Sequence, residues 1–202
     1  MIGPVLAHTH LYSALAPWMP RPLASCVREE PRDFPAILRQ IWWRLDRALD
    51  PELIALSARA GVAAAIEAGT RGLVDHHESP NSIEGSLDLI ADALEEARLP
   101  GLVCYGITAR NGGEAEWRAG LAENERFIRA NRRRFVRGLV GIHACFTVPD
   151  EAIVAAARLA RDLSVGLHVH VAEDVVDRDA ARRLIACDAL VPGSVWAHGV
   201  HL

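Results

Sequence analysis

Six runs of this chain are predominantly apolar and of strand length: 2–8 (IGPVLAH), 72–77 (GLVDHH), 101–108 (GLVCYGIT), 138–146 (GLVGIHACF), 165–172 (VGLHVHVA) and 194–202 (SVWAHGVHL). Amphipathic stretches with helical spacing separate the later ones, over 86–99, 123–133, 150–163 and 177–190. A longer excursion, 11–71, with a Pro-rich loop and two helical segments, separates the first two. A strand that is apolar on both faces must be covered on both, which calls for parallel strands joined by helical crossovers. An open doubly wound sheet would satisfy this pattern, but no GxGxxG follows a strand. The unusual polar residues fall instead at the C-terminal ends of strands one, two, four, five and six. That is the face on which a (β/α)8 barrel builds its site. The expectation is an α/β chain, a single partial TIM (β/α)8 barrel domain over 1–202 with about six βα units.

Half of the residues are hydrophobic, enough for a sizeable core, and the net charge is −4. All 22 basic residues are arginine. The absence of lysine excludes a Walker A site, a Schiff-base lysine and a carbamylated lysine bridging two metals. The one basic cluster, RANRRRFVR (129–137), reads as a solvated helix end, so no nucleic-acid partner is expected. Cys26, Cys104, Cys145 and Cys187 are scattered without a CxxC, as in reduced thiols of a cytoplasmic protein. The N-terminal stretch lacks the basic flank and unbroken apolar core of a signal peptide. No run is long and apolar enough for a transmembrane helix, so no membrane partner is expected.

The histidines carry the chemistry. In AHTHLYS (7–13), His8 and His10 sit two apart at a strand end, a spacing that points both rings to one face of a strand and apart on a helix. Alone, the pair reads equally as polar strand capping or as metal ligands. HVHVAED (168–174) repeats the pattern on the fifth strand, with Glu173 three residues after His170. His143 ends the fourth strand, His198 the sixth, and Asp75, His76, His77 and Glu78 crowd the end of the second. Nine histidines, nearly all at strand ends on one face, are poor core filler. The expected convergence is His8, His10 and His170 as three neutral nitrogen ligands for one divalent ion. Zinc suits such a site, with iron or manganese as alternatives. Glu173 is then placed to carry a proton, and His198 to orient water or hold a developing oxyanion.

AHTHLYSAL, DHHESPNSIEGSLD, HVHVAED and AHGVHL, in that order on successive strands, resemble the amidohydrolase superfamily over nearly the whole chain. They most resemble its cytosine deaminase/chlorohydrolase branch and the aminohydrolases within it. The resemblance implies metal ligation by His8, His10 and His170, a general acid/base at Glu173, a catalytic His198, and a substrate contact at His143. It implies a reaction in which metal-bound hydroxide attacks an sp² carbon of a cyclic amidine or nucleobase-like small molecule and ammonia leaves. It also implies an eighth-strand aspartate and a small β-sandwich made from both termini, neither of which this sequence supplies. The chain therefore reads as an interior piece of a longer enzyme or an incomplete product, inactive alone. The alternative is a truncated barrel that binds a metal or a partner without turnover. Unpaired first and sixth strands would favour association between copies. Trp18, Trp42 and Trp43 could form a lid, though core packing is the expected role of the last two.

Overall fold

The computed structural model describes residues 3–18 and 30–202. Seven parallel strands form one sheet: β1 (Val5–Thr9), β2 (Gly72–His77), β3 (Gly101–Ile107), β4 (Val136–Gly138), β5 (Val140–Ala144), β6 (Leu167–Val171) and β7 (Val195–His198). Their order is β1-β2-β3-β5-β6-β7, with β4 also on β3. The expected strand over 138–146 is thus two short strands broken at Leu139. Together they fill one position, so the sheet has six barrel positions, a partial TIM barrel.

Helices cover the outer face. Within the first crossover, α1 (Phe34–Ile37) continues through a π-helical turn (Leu38–Trp42) into α2 (Trp43–Ala48), and α3 (Pro51–Glu67) follows. The later crossovers carry α4 (Ser86–Glu96), α5 (Glu114–Ala130), α6 (Asp150–Asp162) and α7 (Ala180–Ala186). Local chemistry sets these boundaries. Asp50 accepts the N–H of Leu53 and Pro51 fills the first helical position, where no donor is needed. On α4, Leu87, Ile90, Ala91 and Leu94 recur at helical spacing and are all buried. Helix α5 begins well before the expected residue 123, because the Glu116 carboxylate accepts the N–H groups of Asn111 and Gly112 ahead of the helix. Helix α7 is shorter than expected, since residues 175–177 form a separate 3₁₀ turn.

The break at Leu139 has a specific repair. β3 pairs with β4 as far as Val103↔Gly138 and with β5 from Gly106↔Gly141. Tyr105 lies between these ladders, and buried Asn124 of α5 takes the place of the strand. Its Oδ1 accepts from Tyr105 N at 2.9 Å and Gly141 N at 3.4 Å, and its Nδ2 donates to Tyr105 O at 2.9 Å.

The sheet curls until the ring of His8 on β1 lies 5.0 Å from that of His198 on β7, though no backbone ladder joins those strands among the described residues. The first apolar run does not form the buried strand its composition suggests. β1 is an edge, with Val5 63% and Leu6 40% exposed. No described helix is long and apolar enough to cross a membrane.

Candidate active site

The strand ends converge on a cavity of about 320 Å³ at the barrel mouth, lined among others by His8, His10, His143, His170, Glu173 and His198. All six residues given a site role in the sequence thus line one cavity, whereas Asp75, His76, His77 and His168 do not. A bulge helps aim the first pair. β1 runs in register with β2 at Val5↔Gly72 and Leu6↔Leu73, then slips so that Thr9 faces Asp75. The rings of His8 and His10 lie 4.7 Å apart, His8 and His170 4.9 Å, and His10 and His170 5.1 Å. Of these residues it is His8, His170 and His198 whose nitrogens come close enough together to share one ion; His10 stands beside that set by its ring rather than within it.

Hydrogen bonds fix several imidazole tautomers. His10 Nδ1 lies 2.7 Å from the carbonyl oxygen of His76. A carbonyl can only accept, so Nδ1 carries the proton and Nε2 keeps its lone pair. Thr147 gives its hydroxyl proton to Ala144 O and so accepts from His143 Nδ1 at 2.8 Å, leaving His143 Nε2 as an acceptor 3.4 Å from Glu78. Nε2 of His170 is buried with no partner. Burial, reinforced by neighbouring imidazoles, lowers His8 to about 3 and takes His170 well below the ordinary histidine value. Burial lowers His10 to about 4, against the opposing pull of its bond to His76 O. Near neutral pH these rings are uncharged, the form that ligates a metal.

Glu173 is half-buried, with Oε2 3.5 Å from His198 Nε2. Burial, with smaller contributions from Asp174 and Asp177, raises its carboxyl to about 7. Left-handed backbone at Ala172 (φ 48) and His198 (φ 74) aims both side chains. Such conformations are strained for non-glycine residues and persist where surrounding bonds hold them. Here Gly199 N donates to Val171 O at 2.8 Å and His201 N to Ala172 O at 2.9 Å.

Three contributors carry no role that the sequence alone reveals. Arg110, after β3, bridges the carboxylates of Asp46 on α2 and Glu78 after β2, all of them buried. The guanidinium also lies 5.2 Å from the ring centroid of Trp43. This triad fastens α2 over the mouth. Trp42 packs against the core as expected, and it and Trp43 also line the cavity with Phe34 and Leu38. Glu78 stands in the conspicuous DHHE run. Asp46 and Arg110 have no local signal, because their link spans three separate segments. Trp18 is 83% exposed and does not line the cavity.

A family model described as the amidohydrolase family matches residues 1–201. An 8-oxoguanine deaminase of Pseudomonas aeruginosa is 28% identical over 98% of this chain and 48% of its own length. A 5-methylthioadenosine/S-adenosylhomocysteine deaminase of Symbiobacterium thermophilum is 37% identical over 48% of this chain and 22% of its own. The chain therefore spans less than half the length of these relatives. Among solved structures, atrazine chlorohydrolase TrzN from Arthrobacter aurescens, complexed with zinc, superposes with a TM-score of 0.74 at 19% identity, covering 97% of this chain and 48% of that one. An adenosine deaminase from Xanthomonas campestris with bound zinc gives 0.67 at 21% identity, covering 92% and 41%. These two likenesses concern the fold.

Proposed function

The chain belongs to the amidohydrolase family, and from that premise we propose that its barrel mouth hydrolyses a non-peptide C–N bond of a cyclic amidine or nucleobase-like substrate, with one divalent ion, zinc, held by His8, His10 and His170. The observation that carries this reading is the donor set: neutral, clustered imidazoles, one with an unpartnered buried Nε2 and another whose Nε2 is kept free by the bond of Nδ1 to His76 O. Ligating histidines ordinarily donate their second N–H to such an acceptor. When bound, the ion supplies Lewis acidity that makes water a nucleophile near neutral pH.

The remaining work falls to this chain's own side chains. Glu173, raised to about 7, is populated in both protonation states near neutral pH and transfers a proton to a ring nitrogen of the substrate. His198, beside it, holds the oxygen on which charge develops. His143 offers an acceptor nitrogen to the substrate. Trp42, Trp43 and Phe146 give the cavity flat apolar walls suited to a planar heterocycle. The whole protein acts on a small molecule in this reading.

The test pairs metal content with ammonia release. Protein purified without chelator should carry zinc, and a His8→Ala/His10→Ala/His170→Ala variant should lose it. The product of the complete gene should release ammonia from at least one member of an aminopurine and aminopyrimidine panel. Unchanged metal content in the triple variant would sink the ligand assignment. Full metal occupancy without ammonia release across the panel would leave a metal-binding barrel without this chemistry, the second reading of the sequence.

A further inference from the structure

Beneath the mouth lies a second cluster that the proposed reaction does not use. His76 on β2, Cys104 on β3 and His168 on β6 are each completely buried. A barrel interior at this depth is ordinarily filled by layers of branched apolar side chains. Here two imidazoles and a thiol meet instead. His76 Nδ1 and His168 Nδ1 are 3.0 Å apart, Cys104 Sγ is 3.4 Å from His168 Nδ1, and Cys104 Sγ is 3.7 Å from His76 Nδ1. Tetrahedral zinc, with bonds of about 2.0–2.1 Å to nitrogen and about 2.3 Å to sulfur, places its nitrogens about 3.3 Å apart and each nitrogen about 3.6 Å from sulfur. The three observed separations are already close to such a triangle. Glycines make room for it. A Cβ on Gly106 would meet the His76 ring at 2.4 Å, and one on Gly141 would meet Cys104 Sγ at 3.0 Å and the Tyr105 backbone closer still.

A second observation points to a cation. Asp75 is completely buried, and Leu11 N donates to its Oδ1 at 2.6 Å while its Oδ2 has no partner. A buried carboxylate without a compensating charge is costly. The Asp75 backbone borders the cluster, where the Cys104 thiol donates to the Asp75 carbonyl oxygen at 3.5 Å, and the Asp75 carboxylate is close enough to push the thiol up further, after burial.

We propose that His76, Cys104 and His168 form a second, buried divalent-metal site, separate from the mouth and suited to zinc by its two imidazoles and one thiolate. The charges balance. The ion displaces the thiol proton, which leaves for solvent, and the ion, the thiolate and the Asp75 carboxylate together are neutral. The imidazoles rearrange without gaining or losing protons. With both Nδ1 atoms ligating, His76 carries its proton on Nε2, and so does His168, whose Nε2 lies 3.2 Å from His8 Nδ1. His8 then accepts at Nδ1 and bears its proton on Nε2. Filling the buried site therefore withdraws His8 from the mouth, and the two sites compete for that residue.

Cobalt(II) distinguishes the sites, because thiolate ligation produces a sulfur-to-cobalt charge-transfer band in the near ultraviolet that imidazole and carboxylate ligation do not. The chain is produced in cobalt-supplemented medium, so that the ion is present as the interior closes. The expected result is a thiolate band that disappears in Cys104→Ala, with folding checked by circular dichroism, and persists in a His10→Ala/His170→Ala variant that spares the cluster. Cys104→Ser serves the same purpose should Cys104→Ala fail to fold. No band in the parent and none in the His10→Ala/His170→Ala variant, where the mouth no longer competes for His8, or an unchanged band in a folded Cys104 variant, overturns the proposal. A band present in the parent and lost in the His10→Ala/His170→Ala variant overturns it as well, by assigning the thiolate to the mouth. Failure of the mouth assignment alone leaves the band in place, so the two proposals fail separately.

Discussion

At the scale of single residues, Glu173 shows how one environment serves chemistry at the expense of stability. Its carboxyl sits at about 7 against an ordinary 4.5, chiefly because the ionised form is desolvated. Between those values the folded chain holds a proton that the unfolded chain has released. The contribution to stability therefore falls as pH rises through that window and stays unfavourable above it. As a proton donor, the same group loses its active form as pH climbs past about 7. Glu173→Gln should keep the metal, since Glu173 is not among the proposed ligands. It should lose about 10²–10⁴-fold in turnover, the usual worth of one proton-transfer residue. Above pH 7 it should also melt slightly higher than the parent. Metal analysis, ammonia release and melting curves on the same sample check all three. Release of the metal would make Glu173 a ligand, and native turnover would put the proton elsewhere.

At the scale of elements, strand and helix order is legible in the sequence because apolar runs and helical periodicity are local signals. The HxH spacings and HxxE are local too and place His8, His10, His170 and Glu173, and the predicted strand ends add His143 and His198 on the same face. What escapes is non-local. The break at Leu139 cannot be read from GLVGIHACF, because it depends on Asn124, in a different crossover, standing in for the missing strand partner. The Asp46–Arg110–Glu78 triad escapes for the same reason, and with it the placing of Trp42 and Trp43 in the cavity wall. Even β1 misleads, since its apolar residues suggest a buried strand and it lies at an edge. Asn124 provides a direct test of the repair. Asn124→Ala leaves the N–H of Tyr105 and one lobe of its carbonyl unpaired in a dry interior. It should cost about 1–3 kcal/mol or more, as removal of one partner of a buried hydrogen bond does. Urea unfolding would measure it, and a cost within experimental error would mean that water or a strand shift serves equally well.

At the scale of the whole molecule, two properties follow from the arrangement. β1 and β7 each have one hydrogen-bonded neighbour among the described residues, and unpaired edges recruit partners. The 202-residue chain should therefore associate with increasing concentration in light scattering, and a monomer at all concentrations would contradict this. The second property is the response to acid of the chelated protein, where two families of buried groups oppose each other. Burial lowers the imidazoles: His77 and His168, both completely buried, stand at about 3. Below about 6.5 the unfolded chain takes up protons that these rings refuse, so stability falls with pH. For each ring the loss is about 2 kcal/mol by pH 5. Burial also raises carboxyls, Asp75 to about 7 and, with Glu78 beside it and against the pull of Arg110, Asp46 as well. These groups act the other way, adding stability as pH falls toward about 4. Their gain ends there, because the unfolded carboxyls are then protonated as well. The imidazoles continue to lose down to about 3. The melting temperature of metal-free protein should therefore drift only modestly from pH 7 to 5, where the families offset, and drop steeply from pH 5 to 3. Zinc should raise the melting temperature at pH 7 and lose that effect in the acid range, because protons and metal compete for the same lone pairs. A melting temperature unchanged down to pH 3 in the presence of chelator would mean that these rings are not held neutral, and the basis for the mouth as a metal site would go with them.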